Sequence, residues 1–132
     1  MTELNENVVR EMDKYLEETS IFEILLKSRK NFHFQVMFSK EQMKQDVEVL
    51  DLKPRAFNCL KRNGFNTIHD LVYGVSTKED ESSKRQLLRI RNLGRNTAEE
   101  ILLKLFSYQF MILPDNKKKS YMQRIVELNM IY

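Results

Sequence analysis

The chain has 132 residues, enough for one modest domain or a small domain plus an arm, and is 42% hydrophobic and 31% charged with only 3 Gly and 2 Pro; this excess of helix formers over breakers points to an all-helical protein. A single cysteine, Cys59, excludes an internal disulfide, no metal-ligand spacing occurs, and no apolar run approaches the ~18 residues of a membrane span. Net charge is +3 but uneven: residues 1–52 hold 7 Lys/Arg against 11 Asp/Glu, and residues 53–132 hold 15 against 8, so the second part suits a polyanion and the first does not.

The first twenty residues are charged and unlike a signal peptide, which predicts a cytoplasmic protein of bacterial or phage type. Residues 5–18 read as a helix, with Val8, Val9, Met12, Tyr15 and Leu16 on one stripe. Ser20 and Glu23 have capping-box spacing and open a second helix at about 21–30, with Phe22, Leu25 and Leu26 apolar. These two helices either pack on the body or form an interface, including a homodimer.

Phe32, Phe34, Val36 and Phe38 alternate with His33, Gln35 and Met37, the period of a strand. A lone strand has no partner, so an extended connector, a continued helix and a strand shared with a second protein all remain open. Ser39 to Gln42 caps a short helix at about 40–46, and residues 46–53 make an extended entry to Pro54. A helix over 54–62 ends in left-handed fashion at Asn63-Gly64. Asn66 or Thr67 opens the next helix, which Gly74 closes; a polar run to Gln86 is a solvated helix face or a surface loop.

Leu87 to Leu105, LLRIRNLGRNTAEEILLKL, reads as helix, tight turn, helix. Gly94 suits a positive φ, Asn96 or Thr97 caps the second helix, and Thr97 to Glu100 has capping-box spacing. This is a helix-hairpin-helix pattern, whose unpaired turn amides can hold a phosphate. An apolar stretch from Phe106 to Leu113 stops at Pro114; Asp115 to Lys119 is a charged linker, and Ser120 caps a last helix.

No catalytic constellation appears. His33 has no second ligand at metal spacing, Cys59 reads as a small buried thiol, and Glu99-Glu100 complement a helix dipole. The protein is therefore expected to be no enzyme and to need no cofactor. Arg55 starts a helix, Asn58 lies a turn later on the same face, and Arg91 and Arg95 flank the hairpin turn. Such a set suits an arginine in a narrow minor groove with turn amides on the flanking phosphates.

LDLKPRAFNCLKRNGFNTIHDLV, from Leu50 to Val72, and LLRIRNLGRNTAEEILLKL, from Leu87 to Leu105, resemble the C-terminal domain of the bacterial RNA polymerase alpha subunit. The resemblance spans residues 50–113. It implies a compact all-α, SAM-like helical bundle that binds A·T-rich DNA in the minor groove and contacts activators and the sigma factor. It implies Arg55 in the minor groove, Asn58 and Cys59 beside the backbone, and Asn92, Gly94, Asn96, Thr97 and Glu100 on the hairpin part of the surface. With Lys61 and Arg95 these form the expected DNA-contact set. Asn96 departs from the pattern, which usually has a lysine there, so one phosphate charge is missing and Arg95 is its basic neighbour. The run from Gly74 to Gln86 is longer than the family's connection.

The expected organisation is an N-terminal helical extension over 1–46 and an alpha-C-terminal-domain-like unit over 47–132, in a free-standing protein. The expected function is DNA binding in transcription, on A·T-rich duplex. The alternative is an interaction module for RNA polymerase, sigma factor or an activator, with little DNA affinity.

Overall fold

Asn5 opens the first helix: its side chain accepts the Asn7 N–H at 2.8 Å, and α1 then runs Glu6–Asp13. The computed structural model describes residues 4–28, 32–75 and 94–130. Helix α1 is shorter than its apolar pattern, because Asp13 turns its carboxylate to the next helix and accepts the Ile21 N–H at 2.9 Å. Ser20 accepts the Glu23 N–H as its spacing predicts, and α2 spans Ile21–Ser28.

The alternating segment after α2 is extended and pairs with no strand among the described residues. Two side-chain amides take the place of a ladder. Asn129 accepts the His33 N–H and donates to the His33 carbonyl, both at 2.8 Å, and Gln109 accepts the Met37 N–H at 2.7 Å. Phe32 is buried, with its ring centroid 5.1 Å from that of Phe106. The period of two is thus real, while the hydrogen-bond partner is helical.

Helix α3, Lys40–Met43, carries the full Ser39–Gln42 capping box. The extended entry expected over 46–53 is instead opened by a 3-10 turn, Val47–Leu50. Asp46 caps it through the Glu48 N–H at 2.8 Å, and Asp51 ends it in the left-handed region at φ 55°. Val47 and Leu50 are buried, and that burial favours the turn over an extended path.

Helix α4, Pro54–Arg62, begins on its proline, and Gly64 follows it at φ +84°. Helix α5 spans Ile68–Val75 and runs past Gly74. Its start is a reciprocal cap: Thr67 accepts the Asp70 N–H, and the Asp70 carboxylate accepts from Asn66 and Thr67. These N–H groups, Asn66 foremost, hold the Asp70 carboxyl below its usual value.

Helix α6, Arg95–Ile112, is the central helix. Ala98, Ile101, Leu102, Leu103, Leu105, Phe106 and Phe110 are all buried, so apolar groups meet it on several sides. It packs against α1, α4 and the 3-10 turn. Leu113 ends it at ψ 144°, the extended conformation that the following Pro114 requires. Helix α7, Asp115–Met130, packs on α2.

The expected linker at Asp115–Lys119 is therefore the first turn of α7, and Ser120 lies inside the helix, donating to the Lys117 carbonyl at 3.1 Å. Asp115 suits a helix start, and the buried Tyr121, Met122 and Ile125 anchor the rest. Among the described residues there is no strand, only an isolated antiparallel bridge between Asp46 and Thr67. The fold is all-α, and one apolar cluster runs from Leu4 through the central helix to Ile125. Val8, Val9 and Met12 of α1 and Ile21 and Ile24 of α2 lie within it, with Leu25 against it, whereas Phe22 and Leu26, expected on the apolar face of α2, are turned outward and exposed.

Candidate nucleic-acid interface

Helix starts carry unpaired N–H groups that attract anions, and most proteins cover them with a polar cap or an acid in the first turn. Here α1, α2, α3, α5, α7 and the 3-10 turn each have an acid in the first turn. Among the described helices, only α4 and α6 have none, and neither has a side-chain cap. The sequence explains both cases. Pro54 fills the first position of α4 and brings no N–H there, and Gly94, at the cap of α6, has no side chain.

The two open starts lie close together. Ala56, Cys59 and Leu60 face the core from α4, which packs on α6. The Lys53 N–H, at the cap of α4, donates to Glu100 Oε2 at 2.7 Å. Glu100 stands five residues into α6, about 7.5 Å along its axis at the usual rise. The start of α4 is thus fastened to the second turn of α6.

Arg55 and Asn58 are exposed, three residues apart on one face of α4, and Arg55 has no partner among the described residues. At the start of α6, Gly94 and Asn96 are exposed and Thr97 is half-buried. Among the described residues the first i−4 backbone bond runs from the Ala98 N–H to the Gly94 carbonyl at 2.9 Å, and the amides of 95–97 have no backbone partner among those residues. A guanidinium and a row of backbone donors therefore stand on adjacent helix starts.

Other expected contacts lie elsewhere. Glu100 is only 6% exposed and turned inward, so it positions α4 and does not face a ligand. Cys59 is buried; the Asn63 amide donates to its carbonyl at 2.8 Å. Lys61 pairs with Asp46 at 2.6 Å and lies 5.3 Å over the Phe57 ring. That hydrogen bond, with the Glu48 N–H, holds the Asp46 carboxyl below its usual value. Asn92, with the rest of the hairpin turn and its first helix, lies outside the described residues, as does the side chain of Arg95.

Gly94 also departs from expectation. Its φ is −77°, not positive, and an added Cβ would meet nothing within 4 Å among the described residues. The helix begins at Arg95, so neither Asn96 nor Thr97 is its cap and the Thr97–Glu100 spacing forms no capping box. Gln109 and Asn129 carry no signal except that each is a polar residue inside an apolar stripe.

A family model for the C-terminal domain of the bacterial RNA polymerase alpha subunit matches residues 37–107. The protein belongs to that family. The alpha-C-terminal-domain match takes in α3, the 3-10 turn, α4, α5 and most of α6, and so includes both open helix starts. The DNA-directed RNA polymerase subunit alpha of Desulforudis audaxviator (strain MP104C) is 34% identical over 77 residues, covering 54% of the present sequence and 22% of that protein. The match thus spans about a fifth of the length of that relative. No solved structure gives a match. Helices α1, α2 and α7 lie outside the family match, although α1 and α2 share the domain's core. The family is that of a domain of the transcription machinery. Among the described residues there is no cluster of metal-binding side chains, and no helix is long and apolar enough to cross a membrane.

Proposed function

We propose that this protein binds duplex DNA in transcription, preferring A·T-rich sites. Arg55 enters a narrow minor groove, where the negative potential is strongest. Asn58 and the backbone amides at 95–97 hold the flanking phosphates. The observation that carries this reading is the pair of open helix starts, side by side, with Arg55, which has no partner among the described residues, between core contacts on α4. Residues 47–132 act as the DNA-binding unit, and residues 1–46 act as an extension that serves as an interface, including one between two copies. Paired copies would bind neighbouring sites with higher avidity.

The test is fluorescence anisotropy on A·T-rich and G·C-rich duplexes over a salt series. The Arg55→Ala variant is expected to lose most of the A·T preference, at ~1–3 kcal/mol for one good base contact. Binding indifferent to that change at low salt refutes the reading.

The pairing of Lys61 with Asp46 and the neutral Asn96 favour a second reading, in which the same fold binds RNA polymerase, sigma factor or an activator and has little DNA affinity. Recovery of polymerase subunits from nuclease-treated lysate, with no measurable DNA binding, selects it.

A further inference from the structure

Two surface features remain unused by the DNA-binding face. The first is on α2. Phe22 and Leu26 are 47% and 66% exposed, and they stand one turn apart on the same side of the helix. The inward residues of α2 are Ile21, Ile24 and Ser28, so the helix has an apolar face left over after packing. Acid stands at its leading end: Glu17 and Glu18 precede the helix, and both are exposed. Glu23 is held by Thr19 at 2.7 Å and faces Lys27 at 3.7 Å.

The second feature is a groove of about 590 Å³ between α3 and α5. Phe38, Met43 and Tyr73 give it an apolar lining, and Tyr73 is 64% exposed. The His69 and Tyr73 rings lie 4.4 Å apart and form one wall. Lys40 and Lys44 stand at the rim, with Glu41 3.8 Å from Lys44.

The two features complement each other. One is an apolar helix strip with acid at its leading end, and the other is an apolar groove with lysines at its rim. We infer that α2 of one copy lies in the α3–α5 groove of a second copy, with Phe22 and Leu26 as anchors and Glu17 and Glu18 toward Lys40 and Lys44. Each copy offers both parts, so reciprocal exchange closes a dimer and leaves neither feature exposed. This rests on the proposal that residues 1–46 form an interface between copies, and it is independent of DNA binding. It assigns that interface a donor helix and an acceptor groove.

The test is the mass of the 132-residue protein by sedimentation equilibrium, with Leu26→Glu and Tyr73→Glu as variants. Both residues are largely exposed, so the fold tolerates the changes, which circular dichroism checks. The native protein is expected to be a dimer at micromolar concentration. Each variant weakens it by about tenfold or more, as loss of an interface anchor does. Mixing the two variants restores dimers, because one intact helix–groove contact survives in the mixed pair. A native dimer unmoved by either variant overturns the helix-in-groove contact and leaves the dimer reading standing. A native monomer at 100 times the ~1 μM scale overturns both. Assembly beyond a dimer overturns the closed exchange. Arg55→Ala should leave the mass unchanged throughout, which keeps this result separate from the DNA-binding test.

Discussion

Replacing Glu100 by alanine tests the joint that fastens α4 to α6. The Glu100 carboxylate is nearly buried and accepts the Lys53 N–H at 2.7 Å, directly before the proline that starts α4. A hydrogen bond to a charged acceptor contributes ~1.5–3 kcal/mol, and removing the acceptor leaves that N–H without its partner. The expected loss is about 2 kcal/mol, or roughly 6–10 °C in the thermal midpoint for a protein of this size. Glu100→Gln keeps an oxygen at the same place and loses only the charge, so it should cost about half as much. DNA affinity separates tether from charge. The glutamine variant keeps the tether and removes a negative charge, so it should bind DNA at least as tightly as the native protein. The alanine variant releases the start of α4 with Arg55, and it should bind more weakly despite the same gain in net charge. Urea titration and anisotropy read the two effects. If alanine costs less than about 0.5 kcal/mol, or glutamine costs as much as alanine, the hydrogen bond does not set the geometry.

Asn129→Asp keeps an acceptor for the His33 N–H but turns an anionic oxygen toward the His33 carbonyl. Only the protonated acid can donate there, so its folded pKa rises above the unfolded value; the variant should be destabilised at neutral pH and recover as pH falls. A stability deficit that does not change between pH 7 and pH 5 counts against this. Gly64→Ala and Gly94→Ala make a matched pair. Neither added Cβ meets an atom within 4 Å among the described residues, but Gly64 sits at φ +84° and Gly94 at −77°. The first should cost ~1–2 kcal/mol in denaturant unfolding and the second less, about 0.5 kcal/mol for exchanging a glycine helix cap for alanine; equal costs would show that backbone conformation is not the deciding factor.

Helix positions are legible in the sequence where a local signal decides them. Pro54, the Ser39–Gln42 box and the Thr67–Asp70 cap each mark a start, and the structure puts helices there. The start of α7 is not, because Asp115–Lys119 reads as a polar linker until the burial of Tyr121, Met122 and Ile125 is known. The period of two in residues 32–38 is equally plain. Its partners are invisible, since Asn129 and Gln109 lie 96 and 72 positions away. The same divide runs through the candidate interface. Arg55 and Asn58 share a face by helical spacing alone. Glu100 reads as a dipole-complementing acid, and only a contact 47 positions away shows that it fastens Lys53.

Lys61 shows how such a contact changes the count of charges available to DNA. Spacing puts it three residues past Asn58, on the face that Arg55 begins. The structure gives it to Asp46 at 2.6 Å, with its side chain less than one-third exposed. A lysine held in that way adds no net charge to the surface, because the carboxylate accompanies it. Asp46→Asn removes the carboxylate charge while keeping an amide oxygen for the Glu48 N–H that starts the 3-10 turn. Lys61 is then free to meet a phosphate. Each phosphate neutralised on B-DNA steepens the plot of log K against log salt by ~0.9. The variant should therefore bind more tightly at low salt, with a slope more negative by about that amount, and lose the gain as salt rises. The A·T preference should be unchanged, since it belongs to Arg55. An unchanged slope would mean that Lys61 points away from the DNA, and the contact surface would then shrink to Arg55, Asn58 and the start of α6.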